Sequence, residues 1–200
     1  MRKPGIICFL LCLTFAAGAQ NEIISKGKIG ISFSTFGEND VVRFDELVGA
    51  ASYSGRDHFT FGLNYFYPLN HTFELETGLE YSKHEVDIHP NLPPTVDAVA
   101  RSEDLSLLVI PVALRLTFLN YLFVNGGALI DLDLSSSNPV DSQTGIGVTL
   151  GIGANYDFNC GVSISLNPYL RIHSLVPFSF DDHHQRLTES GIRFGIAYQL

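Results

Sequence analysis

The chain has no tryptophan, one methionine and few charges, at 16% of residues. Beyond its first 20 residues it has no run of roughly 18 apolar residues, the length a membrane helix needs. Yet mean hydropathy is positive, at +0.18. Apolarity without long runs has to be spread over short segments. Basic residues are scarce, 12 Lys and Arg against 21 Asp and Glu, for a net charge of −9. That balance argues against nucleic acid as a partner, because phosphates need a basic face. Cysteine is nearly absent: Cys8 and Cys12 fall in the N-terminal segment, leaving Cys160 and no intrachain disulfide. Cys160 reads as a core or lipid-facing thiol rather than a reactive one.

Residues 1–19 have the layout of a cleaved secretory signal. Arg2 and Lys3 form a positive start, Ile6 to Ala17 an apolar stretch, and Ala17-Gly18-Ala19 an A-x-A cleavage site before Gln20. The apolar stretch is too short to span a bilayer. Ile7 and Leu11 precede the two cysteines, where a lipoprotein signal needs a small residue. The remaining segment, 20–200, reads as one domain.

What is present is alternation. From Phe59 to Lys83, aromatic and apolar residues alternate with polar ones on both sides of Pro68-Leu69-Asn70-His71. Period two on either side of a tight turn is a β-hairpin. The same pattern predicts strands over Lys28–Phe36, Asp104–Phe118, Tyr121–Leu134, Thr144–Phe158, Gly161–His173 and Thr188–Leu200, eight in all. Connections alternate long, short, long, short, long, short, long. The long ones are about Gly37–Asp57, His84–Glu103, Ser135 onward and Ser174–Leu187. The proline density of Pro90, Pro93 and Pro94 excludes a regular strand there, and Pro111 and Pro168 predict a bulge or strand end at each.

Short turns at one rim and long loops at the other mark an outer-membrane barrel. Tyr65, Phe66, Tyr67, Phe73, Phe118, Tyr121, Phe123, Tyr156, Phe158 and Tyr198 gather at the short-turn rim, as an interfacial girdle does. The expected fold is all-β: an eight-stranded antiparallel up-and-down transmembrane β-barrel. In strand six, Leu150 and Ile152 should contact lipid while Gly151 and Gly153 line the lumen. A soluble lipocalin-like ligand-binding barrel is the alternative, with its apolar face inward. Its watered face would be rich in Lys and Glu; here the polar face is mostly Gly, Ser, Asn and Thr.

Leu107-Leu108-Val109-Ile110-Pro111-Val112-Ala113-Leu114-Arg115 resembles the Ile-Pro-apolar-basic strand of PorT-like outer-membrane β-barrel domain proteins. The Gly-alternating strand six with its Gly-Ala-Asn-Tyr-Asp-Phe end is similar to that family too. So is the last strand, with Gly191 and Gly195. Leu200 departs from the aromatic terminus of most barrel-assembly signals, while Tyr198 fits. The resemblance implies a barrel fold and residence in the outer membrane; outer-membrane lipid, the barrel-assembly machinery and an unidentified envelope protein are the expected partners. It implies no catalytic motif and no cofactor.

Three constellations carry polar chemistry. Glu74, Glu76, Glu80, Arg115, Asp131, Arg171, Glu189 and Arg193 fall on polar faces and should converge in the lumen as a structural charge network. Ions out of water must be paired, and an eight-stranded interior is just wide enough for side chains, so a plug is expected. Glu85, Asp87 and His89, and Asp181-Asp182-His183-His184, combine carboxylates with imidazoles but lack recognised ligand spacing and read as solvated loops. His173-Ser174, with Asp181, His183 and Glu189 nearby, is the place a lipid-modifying enzyme would use; no Gly-x-Ser-x-Gly elbow accompanies it.

Overall fold

The computed structural model describes residues 26–42, 52–89, 101–135, 141–179 and 184–200. Residues 1–19, expected to be a signal, and the segments Pro90 to Pro94 and Asp181 to His183 lie outside the described residues. Eight strands form a closed barrel in sequence order: β1 (Lys28–Val42), β2 (Ser52–Pro68), β3 (Phe73–His89), β4 (Arg101–Phe118), β5 (Leu122–Asp133), β6 (Gly145–Asp157), β7 (Val162–Pro177) and β8 (Arg186–Gln199). Each pairs antiparallel with its neighbour, and β1 closes on β8 from Lys28↔Gln199 to Val42↔Arg186. No edge is left open, which is what hydrocarbon demands of a sheet.

Alternation decides the faces. Leu150 and Ile152 are 64% and 55% exposed on the outside, while Gly151 and Gly153 are buried within. Leu63, Leu114, Leu170 and Ile196 also point outward. The apolar face is therefore the outer one, which overturns the lipocalin-like alternative. Tyr65, Tyr67, Tyr121, Tyr156, Phe158 and Tyr198 are exposed near the short-turn rim; Tyr121 and Tyr156 stack with ring centroids 6.0 Å apart. Phe66 and Phe123, expected in this girdle, instead point into the lumen and are buried.

The three short turns have local causes. Leu119 and Asn120 both adopt left-handed conformations, φ 50° and 63°, and with Tyr121 they make the three-residue connection between paired Phe118 and Leu122. Asn70 Oδ1 accepts the backbone N–H of Thr72 and of Phe73, both at 2.8 Å, an Asx turn. Gly161, φ 85°, completes the third. Cys160 is exposed in that turn rather than in the core or facing lipid.

Strands run further toward the long-loop end than alternation predicts. β1 continues to Val42, β2 starts at Ser52, β3 reaches His89 and β7 reaches Pro177. Glu85 and Asp87 therefore sit on a strand, not in a loop. Beyond the hydrocarbon both faces of a strand can be polar, so the period-two signal fades while the ladder continues. Bulges fall between Ser34 and Phe36, between Gly55 and His58, and opposite Ile146 and Val148, where Ser174 takes φ 47°. The prolines produce none. At Pro111 the β3–β4 ladder lapses between Thr77↔Val112 and Glu80↔Val109 and resumes in the same register. At Pro168 the β6–β7 ladder does the same between Gly151↔Tyr169 and Ala154↔Leu166. In each case the opposite ladder is unbroken, so the strand spends its missing donor on one side only.

A Cβ added at Gly151 would lie 2.5 Å from the side-chain oxygens of both Asn125 and Asn167. Gly151→Leu should therefore overpack the lumen, at a cost of about 1–3 kcal/mol. Leu150→Arg should impair insertion by about 2–4 kcal/mol if the residue lies near mid-membrane. Folding of both variants into bilayers, read by heat-modifiable gel mobility, checks this; parent-like folding of either contradicts the assignment of faces.

Candidate functional site: the polar lumen

The even-numbered residues of β3 point inward, so Glu76, Glu80, Ser82 and His84 line one wall in phase. β7 contributes Asn167, Tyr169, Arg171 and His173 by the same alternation, and β8 contributes Glu189 and Arg193. Nearest the short-turn rim, Lys28 Nζ lies 3.0 Å from Asp157 Oδ1 and 3.7 Å from Glu74 Oε1. Ser163 also hydrogen-bonds Asp157. Glu74 thus belongs to this rim group and does not join the central network in which alternation had placed it.

Above the rim, the Arg115 guanidinium sits 4.5 Å from the Phe66 ring centroid and 4.0 Å from that of Phe123. Two inward aromatics in a polar lumen are explained by this cation–π clamp. Arg115 Nη2 reaches Glu76 Oε2 at 3.2 Å, and Asn125 Nδ2 donates to the same oxygen at 3.2 Å. Arg193 bridges both acids, at 2.6 Å to Glu76 and 3.1 Å to Glu80. Arg171 Nη2 closes the lattice on Glu80 at 2.7 Å. Each of these side chains is buried. A cavity of about 20 Å³ between Glu76, Arg115 and Arg193 has room for roughly one water.

A second polar layer lies beyond the arginines. The Tyr169 hydroxyl donates to Glu189 Oε1 and pairs with Ser34 Oγ at 2.8 Å. His173 is held between two carboxylates, with Nδ1 3.0 Å from Asp131 Oδ1 and Nε2 3.2 Å from Glu189 Oε2. His84 Nε2 and His58 Nε2 each approach Glu189 to 3.6 Å. The rings of His58 and His84 stack with centroids 5.8 Å apart. Beside this layer the wall turns apolar: Leu105, Leu107, Val109, Leu129 and Leu187 form a buried cluster against which Val41 packs.

The profile of the outer membrane protein beta-barrel domain family matches residues 6–199. The chain belongs to this family. Among solved structures it resembles the outer membrane protein AlkL, studied in DMPC lipid bilayers: 13% identity, TM-score 0.52, covering 91% of this chain and 95% of that one. It also resembles OprG from Pseudomonas aeruginosa, at 14% identity and TM-score 0.52, covering 88% and 98%. At that identity the likeness is one of fold. No curated protein sequence matches. The family barrel places this chain in the outer membrane, with lipid around its apolar face.

Of the polar residues expected to converge, Glu76, Glu80, Arg115, Asp131, Arg171, Glu189 and Arg193 are buried in the barrel interior, while Asp131 and Glu189 form part of the histidine layer rather than the arginine lattice. His58, His84 and Tyr169 escaped the sequence reading. The signal was there: His84 is in phase with Glu80 and Ser82, His58 with Thr60 and Asn64, and Tyr169 with Arg171. Ser174 does not face lipid. It is fully buried, its Oγ lies 3.3 Å from His184 Nε2, and its N–H donates to Asp131 Oδ2 at 3.0 Å. Glu189 pairs with His173, not with Ser174.

Arg193 is the shared cation of the lattice, so Arg193→Met should leave Glu76 and Glu80 short of charge. The expected destabilisation is about 3–5 kcal/mol, measured by urea unfolding of the bilayer-inserted barrel. A change within experimental error would mean the lattice is not a cooperative plug.

Proposed function

We propose that this barrel is a non-enzymatic outer-membrane protein whose lumen is plugged and whose work is done by its long-loop end, in a structural, surface-binding or envelope-assembly role. The observation that carries the reading is the lumen itself: Glu76, Glu80, Arg115, Arg171 and Arg193 occupy its width as a paired lattice, with a cavity of about 20 Å³ beside Glu76, Arg115 and Arg193. Ions do not cross such a layer without breaking buried pairs. The extension of β1, β2, β3 and β7 toward the long loops supports display at that end. In this reading residues 1–19 are a signal peptide removed on export, residues 20–200 form the barrel domain, and the short turns face the periplasm. The barrel-assembly machinery inserts it, with Tyr198 in the last strand as part of the signal. The strand around Pro111 supports placing it nearest the PorT-like branch of the family. The burial of Ser174 inside the wall is a poor arrangement for lipid chemistry, so the lipid-modifying alternative is set aside.

Planar-bilayer recordings of the refolded barrel should show no steady conductance steps; ohmic steps that scale with salt would refute the plug. A photo-crosslinking residue at Phe178, exposed at the long-loop end, should capture an envelope partner in native membranes that the same residue at the Asn159 turn does not. Equal labelling at both positions would remove the loop-binding role.

A further inference from the structure

The histidine layer is more elaborate than a plug needs, since the arginine lattice already fills the barrel. We propose that His84, His173 and Glu189 form a binding site for a divalent first-row transition-metal ion. One ligand atom from each lies within 4.8 Å of the other two. Glu189 Oε2 is 3.2 Å from His173 Nε2 and 3.6 Å from His84 Nε2. Ligands about 2.0–2.1 Å from a tetrahedral ion are roughly 3.3 Å apart, so two of the three separations already suit such an ion.

The surroundings fit as well. Asp131 Oδ1 sits behind His173 Nδ1 at 3.0 Å, the carboxylate–imidazole arrangement that orients a ligating histidine and raises its basicity. Asp131 is itself fixed by the Ser174 N–H. Among the described residues His84 Nε2 is otherwise engaged by the Ser82 hydroxyl at 3.1 Å, which can rotate away, and its Nδ1 has no hydrogen-bond partner. His58 Nε2 lies beside the site, 3.6 Å from the other Glu189 oxygen, Oε1, and 3.4 Å from the Tyr169 hydroxyl. Charge points the same way. The buried carboxylates Glu76, Glu80, Asp131 and Glu189 outnumber the buried guanidiniums of Arg115, Arg171 and Arg193, and Asp131 and Glu189 are the two that face the imidazoles. Two imidazoles and one carboxylate select zinc, cobalt, nickel or copper over calcium and magnesium. In the barrel order β3 is separated from β8 by β1 and β2, so the ion ties walls that share no ladder. This site is independent of whether the lumen conducts.

The test titrates the untagged, full-length barrel, refolded in bilayers, with Co²⁺ and Zn²⁺. One equivalent of Co²⁺ should bind with a visible d–d band that Zn²⁺ abolishes and Mg²⁺ does not. His84→Gln and His173→Gln, checked for folding by gel mobility, should each weaken binding at least tenfold, and Asp131→Asn by about 10–100-fold. His71→Gln, at the opposite rim, should leave it unchanged. If the histidine variants do not fold, X-ray absorption of the zinc-loaded wild type decides, with two imidazoles and a carboxylate expected around the ion. An all-oxygen shell, an absence of stoichiometric binding, or full binding by folded His84→Gln and His173→Gln each overturns the site.

Discussion

Everything in this molecule follows from closing a sheet in a solvent that cannot hydrogen-bond. An unpaired backbone amide in hydrocarbon costs several kcal/mol, so an open strand edge is excluded. The β1–β8 seam, continuous from Lys28↔Gln199 to Val42↔Arg186 with one bulge, removes the last edge. Proline is admitted only where the ladder tolerates a missing donor. Pro111 and Pro168 each interrupt one neighbour's ladder while keeping the register of the other.

Closure with eight strands then sets the interior. The lumen is narrow, so small residues and a few well-paired large ones must share it. Gly151 and Gly153 make room for their neighbours: a Cβ at Gly153 would fall 2.4 Å from the Phe123 ring. That ring in turn supports Arg115, and Arg115 supports Glu76. Buried ion pairs of this kind stabilise little relative to an apolar filling but are costly to break singly. The lattice therefore specifies one interior arrangement more than it adds stability.

Toward the long-loop end the constraint loosens. The strands outrun the hydrocarbon, bulges appear at Thr35, between Gly55 and His58, and at Ser174, and the lumen changes from an arginine–glutamate lattice to histidines, carboxylates and an apolar cluster. The left-handed Ser174 shows the coupling between backbone and site. By bulging β7 it turns its own N–H onto Asp131, which holds His173.

The sequence by itself determined the strand number, the alternation of short and long connections and, apart from Phe66 and Phe123, which residues face lipid. These depend on a period of two, and period two is local: Leu150 and Gly151 are assigned to opposite faces by adjacency alone. It also placed most of the lumen ions on the inner surface, because Glu76, Glu80, Arg171 and Arg193 lie in phase with that surface. Only the tertiary structure decided the partners. Whether Glu74 meets Arg115 or Lys28, whether Phe66 joins a girdle or a cation–π clamp, and whether His58, His84 and His173 converge all depend on strand tilt, stagger and bulges. Those properties are set by closure of the whole sheet, and no single strand carries them.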